Sequence, residues 1–235
     1  MMLPVAILAG GLATRMRPAT DKIPKSLIPV AGKPFIEHQV RLLKRNGVSR
    51  IVICAGYLGE MIESFLGNGN GWGLQIDYVY DGPGLLGTGG ALLKAVPRLG
   101  ERFLILYGDA YLDCDYGAVE TAFFRSGQSG IMTVYRNANR WDRSNIEFSG
   151  GKIVRYDKTR TTPAMEYIDY GLGGLRSKVL ADFPDHQPFD LEAVYQALIA
   201  RQDLAGYEVD RRFYEIGSPA GLAETERFLT EEFLK

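Results

Sequence analysis

Near the start of the chain a glycine pair, Ala9-Gly10-Gly11, is followed by Arg15, Arg17 and then Lys25 in Ile23-Pro24-Lys25-Ser26-Leu27-Ile28-Pro29-Val30. The residues before it, Leu3 to Leu8, form an apolar, strand-like run. Glycines let a backbone approach a ligand closely and leave amide N–H groups free to bind it. Fixed cations at the same end of the strand suit a polyphosphate, because guanidinium and ammonium groups match phosphate oxygens in charge. Leu8, Ala9, Gly10 and Gly11 with Arg15 and Lys25 therefore read as a cradle for a nucleoside triphosphate. A Gly-Gly turn alone is merely a turn; the cations distinguish this one. Arg17 either supports Arg15 or faces water.

Two better-known phosphate loops are excluded. The chain has no G-x-x-x-x-G-K-[ST], and its glycines do not fall as G-x-G-x-x-G after a strand. Gly67-Asn-Gly69-Asn-Gly71-Trp-Gly73 has the wrong spacing and reads as a turn entering a strand. The chain has 235 residues, 46% of them hydrophobic and 23% charged, which is ordinary for a soluble globular protein. A net charge of −1 argues against a nucleic-acid binder. Cys54 and Cys114 show no metal spacing and read as buried thiols in strand-like surroundings. No stretch approaches the length of a membrane span, and the apolar N-terminus lacks a basic leader and a cleavage site, so the expectation is a cytoplasmic protein that binds no membrane.

Something must position these residues, and the first half alternates strands with helices. Strands are predicted at Pro4–Leu8, Arg50–Cys54, Gln75–Tyr80 and Phe103–Tyr107. Helices are predicted at Pro34–Asn46, Leu58–Leu66 and Gly89–Pro97, the first opening on Pro34 and burying Ile36, Val40 and Leu43. Such alternation gives a parallel sheet covered by helices on both sides, with ligands at the carboxyl ends of its strands. The second half reads as helix Tyr116–Arg125, short strands Ile131–Arg136, Ile146–Phe148, Ile153–Tyr156 and Tyr167–Leu175, then helices Asp190–Arg201 and Pro219–Leu234. His38 is expected on a polar helix face and His186 in a polar loop. No repeat or linker divides residues 1–235.

The motifs together resemble the sugar-phosphate nucleotidyltransferases, or nucleotide-sugar pyrophosphorylases. Their pattern is a strand, L-A-G-G, T-R-[LM]-x-P-x-T and P-K-x-L-[IL]-P-[VI]. Here it stands as Leu8–Gly11, Thr14–Thr20 and Pro24–Val30, and it continues at Ala31–Ile36, Leu86–Ala91, Tyr107–Ala110 and Phe213–Pro219. The resemblance covers nearly the whole chain. It implies a three-layer α/β/α, Rossmann-like fold with a mainly parallel mixed sheet, as a single catalytic domain over 1–235 without the left-handed β-helix some relatives carry.

The implied partners are a nucleoside triphosphate and a sugar 1-phosphate, and the products are a nucleotide-sugar and pyrophosphate. A sugar-phosphate oxygen attacks the α-phosphorus in line, so catalysis is positioning and charge neutralisation. Arg15 matches the family arginine at the departing end of the triphosphate, and Lys25 matches the lysine at the reacting centre. Asp109, just past a buried strand, reads as the main ligand of Mg2+, since a carboxylate there is costly unless it binds something. Glu215 stands where the family usually has an aspartate as second metal ligand; it reaches the ion directly or through water, or is a sheet-edge glutamate. Gly87 and Thr88 lie in the segment that relatives place against the nucleotide. Asp81 sits near the base-reading position, where a carboxylate accepts the two parallel N–H bonds of guanine; an ordinary turn aspartate before Gly82-Pro83 is the competing reading. Lys158 resembles the lysine that grips the sugar phosphate, and Asp169 and Gly171 fall where relatives contact sugar hydroxyls. Trp72 and Trp141 either pack in turns or shape the sugar pocket.

Among relatives the chain looks most like the D-glycero-D-manno-heptose 1-phosphate guanylyltransferases, which use GTP. The N-acetylmuramate 1-phosphate uridylyltransferases come next. A rival of another class is a catalytically weak protein that senses nucleotide-sugars. It should lack Arg15, Lys25 or Asp109, and all three are present. An oxidoreductase is disfavoured by the missing dinucleotide fingerprint.

Overall fold

The computed structural model describes residues 2–185 and 187–233. In chain order the first part comprises β1 (Val5–Ala9), a small β2–β3 ribbon (Pro29–Val30 and Lys33–Pro34), α1 (Phe35–Arg45), β4 (Arg50–Ala55), α2 (Gly59–Leu66), β5 (Gln75–Tyr80), α3 (Gly87–Leu99) and β6 (Arg102–Tyr107). After it come β7 (Ala110–Tyr111), α4 (Tyr116–Ser126), β8 (Gly130–Arg136), β9 (Ile146–Ser149), β10 (Lys152–Tyr156), β11 (Tyr167–Arg176), α5 (Leu191–Ala200), β12 (Leu204–Val209), β13 (Tyr214–Glu215) and α6 (Pro219–Phe233). Nine strands form one sheet in the order β5-β4-β1-β6-β11-β8-β12-β10-β9. The β5-β4-β1-β6 half is parallel, β11 joins it antiparallel, and β8 and β12 form a further parallel pair.

Side chains alternate across each strand, which divides the core in two. Val5, Ile7, Ile51, Ile53, Leu104 and Leu106 meet α1, α2 and α4 through Ile36, Val40, Leu43, Ile62, Val119 and Phe123. Ala6, Val52, Cys54, Phe103 and Ile105 meet α3 and α5 through Leu92, Ala95, Leu99, Val194 and Leu198. Strands apolar on both faces are what a sheet covered on both sides requires. A third cluster joins α6 to α1 and the β2–β3 ribbon through Leu229, Leu42, Phe35, Val30, Tyr111 and Ile216.

This third cluster explains a correction. His38 is buried, with its Nε2 bonded to Val30 O at 2.8 Å, instead of lying on a polar face. α1 is sandwiched between the sheet and α6, so its second face is covered too. Pro34 precedes the helix in an extended conformation (φ −54°, ψ 137°), and Phe35 begins it. Cys54 is buried in β4 as expected, but Cys114 is only half-buried and lies in the β7–α4 connection. The strand Leu204–Val209, unforeseen in the sequence, pairs with β8 along its whole length. His186 lies outside the described residues. No helix among the described residues is long and apolar enough to cross a membrane.

Candidate active site

The sequence motifs meet at the carboxyl ends of β1, β4 and β6, where close backbone approach sets the geometry. A Cβ on Gly56 would lie 2.5 Å from Gly10 O and 2.9 Å from Gly10 Cα, so only glycine lets the loop after β4 press on the Gly10 turn. Gly108 donates to Leu8 O at 2.9 Å, and a Cβ there would meet that same oxygen at 2.7 Å. Gly56→Ala is therefore expected to destabilise the fold by roughly 1–3 kcal/mol, as overpacking against backbone does. Thermal unfolding checks this; an unchanged midpoint would mean that the Gly10 turn yields freely.

Asp109 follows β6 in a turn that α1 holds from beneath. The fully buried Gln39 donates through Nε2 to both Tyr107 O (2.9 Å) and Ala110 O (2.7 Å). Lys25 Nζ lies 2.7 Å from Asp109 Oδ2, with the two side chains 20% and 30% exposed. The β13–β7 pairing sets Glu215 opposite Ala110, and Ile216 N–H donates to Asp109 O at 2.9 Å. A Cβ on Gly217 would sit 2.7 Å from Glu215 Oε2, 3.2 Å from Asp109 Oδ2 and 3.7 Å from Arg15 Nη2. Two carboxylates and an arginine thus converge on one bare Cα. Glu215 also caps the start of α6, accepting from Gly217 N and from Ser218 Oγ at 2.7 Å.

Two cavities open here. The first, of about 300 Å³, is lined by Leu8, Ala9, Gly10, Gly11, Lys25, Asp81, Gly87, Thr88 and Asp109. The expected nucleotide-side residues are all among them except Arg15, which lines the second cavity instead. Asp81 is buried and accepts from Leu86 N at 3.3 Å; burial pushes its carboxyl above the usual range, against the pull of that bond and of Lys94. Thr88 is already engaged: its Oγ1 accepts from Leu191 N at 2.8 Å. The first amides of α3 are spent as well, since Gly89 N and Gly90 N donate to Phe189 O at 2.9 and 3.2 Å. Those two donors are therefore taken by the loop before α5 and are not available to an anion.

The second cavity, of about 680 Å³, is lined by Arg15, Asp109, Lys158, Asp169, Gly171 and Glu215, with Trp141, Arg143, Asn145 and Arg212 beyond them. It shares Tyr107 and Asp109 with the first. Lys158 Nζ lies over the rings of Tyr107 (5.7 Å) and Tyr156 (5.6 Å). Asp169 accepts from Tyr156 OH and Gly171 N, both at 3.0 Å. Burial raises its pKa, opposed by Lys158 and these bonds. Gly171, at φ +99°, occupies the irregular stretch of β11 that permits that turn of chain. Arg17 stands apart in an exposed pair with Asp21 and lines neither cavity.

Sequence reasoning missed Gln39, Tyr107, Asp190, Arg143, Asn145 and Arg212 as parts of this region. Tyr107 and Arg212 adjoin the Gly108-Asp109 and Phe213–Pro219 motifs, which was the available signal; Gln39 lies on a helix face indistinguishable from its neighbours.

A nine-stranded mixed sheet with a glycine turn, a Lys25–Asp109 pair and two cavities sharing one edge defines an α/β protein with two adjoining compartments at the carboxyl ends of its strands. The sequence matches the nucleotidyl transferase family over residues 5–232, and the chain belongs to that family. It is 43% identical over 136 residues to the N-acetylmuramate alpha-1-phosphate uridylyltransferase of Neisseria meningitidis serogroup B, covering 57% of this chain and 56% of that protein. The chain thus spans little more than half the length of that relative. With the D-glycero-alpha-D-manno-heptose 1-phosphate guanylyltransferase of Campylobacter jejuni it shares 25% identity over 214 residues, 91% of this chain and 94% of the other. HddC from Yersinia pseudotuberculosis, solved with GMP-PN, has the same fold, with a TM-score of 0.77 at 24% identity over 99% of this chain and all of that one.

Proposed function

We propose that residues 1–235 act as one catalytic domain that transfers a nucleotidyl group from a nucleoside triphosphate to a sugar 1-phosphate, releasing pyrophosphate. The observation that carries this reading is the shared edge of the two cavities, where Asp109, paired with Lys25, faces both. The triphosphate lies along the Gly10-Gly11 turn with its α-phosphate at Lys25. The departing pyrophosphate lies toward Arg15, and the sugar phosphate, held by Lys158, attacks from the second cavity. Lys25 and Arg15 offset charge that grows on bridging and departing oxygens, the term that dominates such reactions. Asp169 and the Gly171 backbone face the sugar hydroxyls.

The Asp109 carboxylate, on the edge shared by the two cavities, fits a divalent cation, which takes few protein carboxylates and completes its shell with water and phosphate oxygens. Mg2+ would be held by Asp109, with Glu215, whose two oxygens accept from Gly217 N and Ser218 Oγ, reaching it through water; when bound it would supply neutralisation of the phosphate oxygens.

On the nucleotide side the reading is GTP, because the Asp81 carboxylate lines the first cavity beside the glycine turn, and a carboxylate can accept two parallel N–H bonds as guanine offers them. The matching acceptor is D-glycero-D-manno-heptose 1-phosphate. Asp81→Asn replaces one acceptor by a donor, so kcat/KM for GTP is expected to fall about 10- to 100-fold, the worth of one bidentate base contact. Steady-state rates over several triphosphates check it; an unaltered GTP preference would remove Asp81 from base reading.

A second reading, UTP with N-acetylmuramate 1-phosphate, is favoured by Arg143. It lines the sugar-side cavity, bonds only Thr161 Oγ1 through its guanidinium (2.9 and 2.6 Å), and has no carboxylate partner among the described residues. The acid group of that sugar would supply one. Pyrophosphate release with Mg2+, measured over GTP, UTP, dTTP, CTP and ATP against heptose, mannose, glucose and N-acetylmuramate 1-phosphates, decides between the readings. Release with no pair, from folded protein that still binds a nucleotide-sugar, would favour the sensing protein instead.

A further inference from the structure

The outer wall of the sugar-side cavity is built with more care than a connecting loop requires. Residues 137–145 join β8 to β9, and Ala138 and Asn139 adopt left-handed φ values of 47° and 58°. Asn137 is fully buried; its Nδ2 donates to Asp142 O (2.5 Å) and Ser144 Oγ (3.2 Å), while its Oδ1 accepts from Trp141 N (3.1 Å). Ser144, also buried, accepts from Asn139 N at 3.0 Å and donates its own N–H to Asn139 Oδ1 at 2.8 Å. A polar network that satisfies itself this fully specifies one conformation, and strained backbone persists only where its surroundings fix it.

What the network fixes is Trp141, which remains 44% exposed and lines the cavity. From the opposite side the Arg212 guanidinium lies 3.5 Å from the indole centroid and 4.6 Å from the Tyr214 ring. Arg212 is in turn paired with Glu224 of α6 at 2.5 Å, its side chain only 21% exposed. The indole is thus held between its own loop and the segment that carries Glu215, with the Arg212 cation over the ring and both side chains lining the cavity. A sugar ring has an apolar C–H face as well as its hydroxyls, and a rigid indole offers large amphipathic area at little conformational cost.

We propose that Trp141 is the platform on which the sugar ring of the acceptor lies, and that Arg212 is a positioning residue that holds the indole in place. The inference rests on the transferase reading, and its test separates the two. Trp72 is the only other tryptophan, so Trp72→Phe leaves Trp141 as the sole indole reporter. In that variant, heptose, mannose, glucose and N-acetylmuramate 1-phosphates are titrated singly against indole emission. A saturable change is expected with the one that supports pyrophosphate release, and none with the triphosphate alone.

Trp141→Ala is expected to raise the KM for that sugar 1-phosphate roughly tenfold, or about 1.4 kcal/mol, with the KM for the triphosphate within about twofold. Arg212→Ala should shift the same constant, and Arg212→Lys should restore part of the loss, as a positioning role requires. Thermal unfolding confirms that each variant is folded. An unchanged sugar KM in folded Trp141→Ala, or both KM values rising in step, would overturn the proposal. If the wild type releases no pyrophosphate with any pair, the transferase reading falls, and the emission titration still decides this one. A saturable response to a sugar 1-phosphate would uphold the platform, and a flat one with all four would overturn it.

Discussion

Asp109→Asn is expected to lower kcat for pyrophosphate release by on the order of 10³-fold or more, comparable with removing a principal electrostatic group from a transition state. The substitution keeps the size of the side chain and the backbone bonds of its turn, which Gln39 holds through Tyr107 O and Ala110 O. What it removes is the negative charge that meets Lys25 at 2.7 Å and that would hold Mg2+. Because Lys25 is then left with a neutral partner in a half-buried place, some loss of stability accompanies the change. Rates with saturating Mg2+ should nevertheless stay depressed in protein whose circular dichroism matches the wild type. Activity within about tenfold of wild type would take Asp109 out of the metal site.

Lys25→Ala is expected to cost about 10²- to 10³-fold in kcat, with a smaller effect on the KM for the triphosphate, since the lost charge compensation matters most as the α-phosphate reacts. An unaltered kcat would contradict its place at the reacting centre. The two residues touch, so their losses are not independent. The double variant is expected to be less impaired than the product of the single effects predicts, which a double-mutant cycle measures. Full multiplicativity would mean that Lys25 and Asp109 serve different ligands and that their pair is incidental.

Much of this region was legible in the sequence because its parts are short, contiguous and placed directly after strands. Gly10, Gly11, Arg15, Lys25 and Asp109 each belong to a run whose spacing is set within a few residues. The sheet edge then collects them whatever the rest of the chain does. Apolar strands such as Arg102–Tyr107 and the face of α1 carrying Ile36, Val40 and Leu43 were equally plain, since alternation and helical period are local signals. What failed depended on partners distant in the chain. His38 looked solvated because nothing near it reveals that α6 covers that face of α1. Thr88 lines the first cavity, but nothing local shows that its hydroxyl also accepts from Leu191 N, 103 positions away. Gln39 holds the Asp109 turn across 68 and 71 positions, and no pattern in its own helix marks it out.

The edge formed by Tyr107 and Asp109 has one more consequence. Under the proposed reaction the nucleoside lies in one compartment and the sugar in the other, whereas the joined nucleotide-sugar lies across both. A ligand that spans the two loses its overall translational and rotational freedom once for two sets of contacts, and each half raises the local concentration of the other. The finished molecule is then held more tightly than either of its precursors. Departure of the product, and not the making of its bond, becomes the natural pacemaker of such a site.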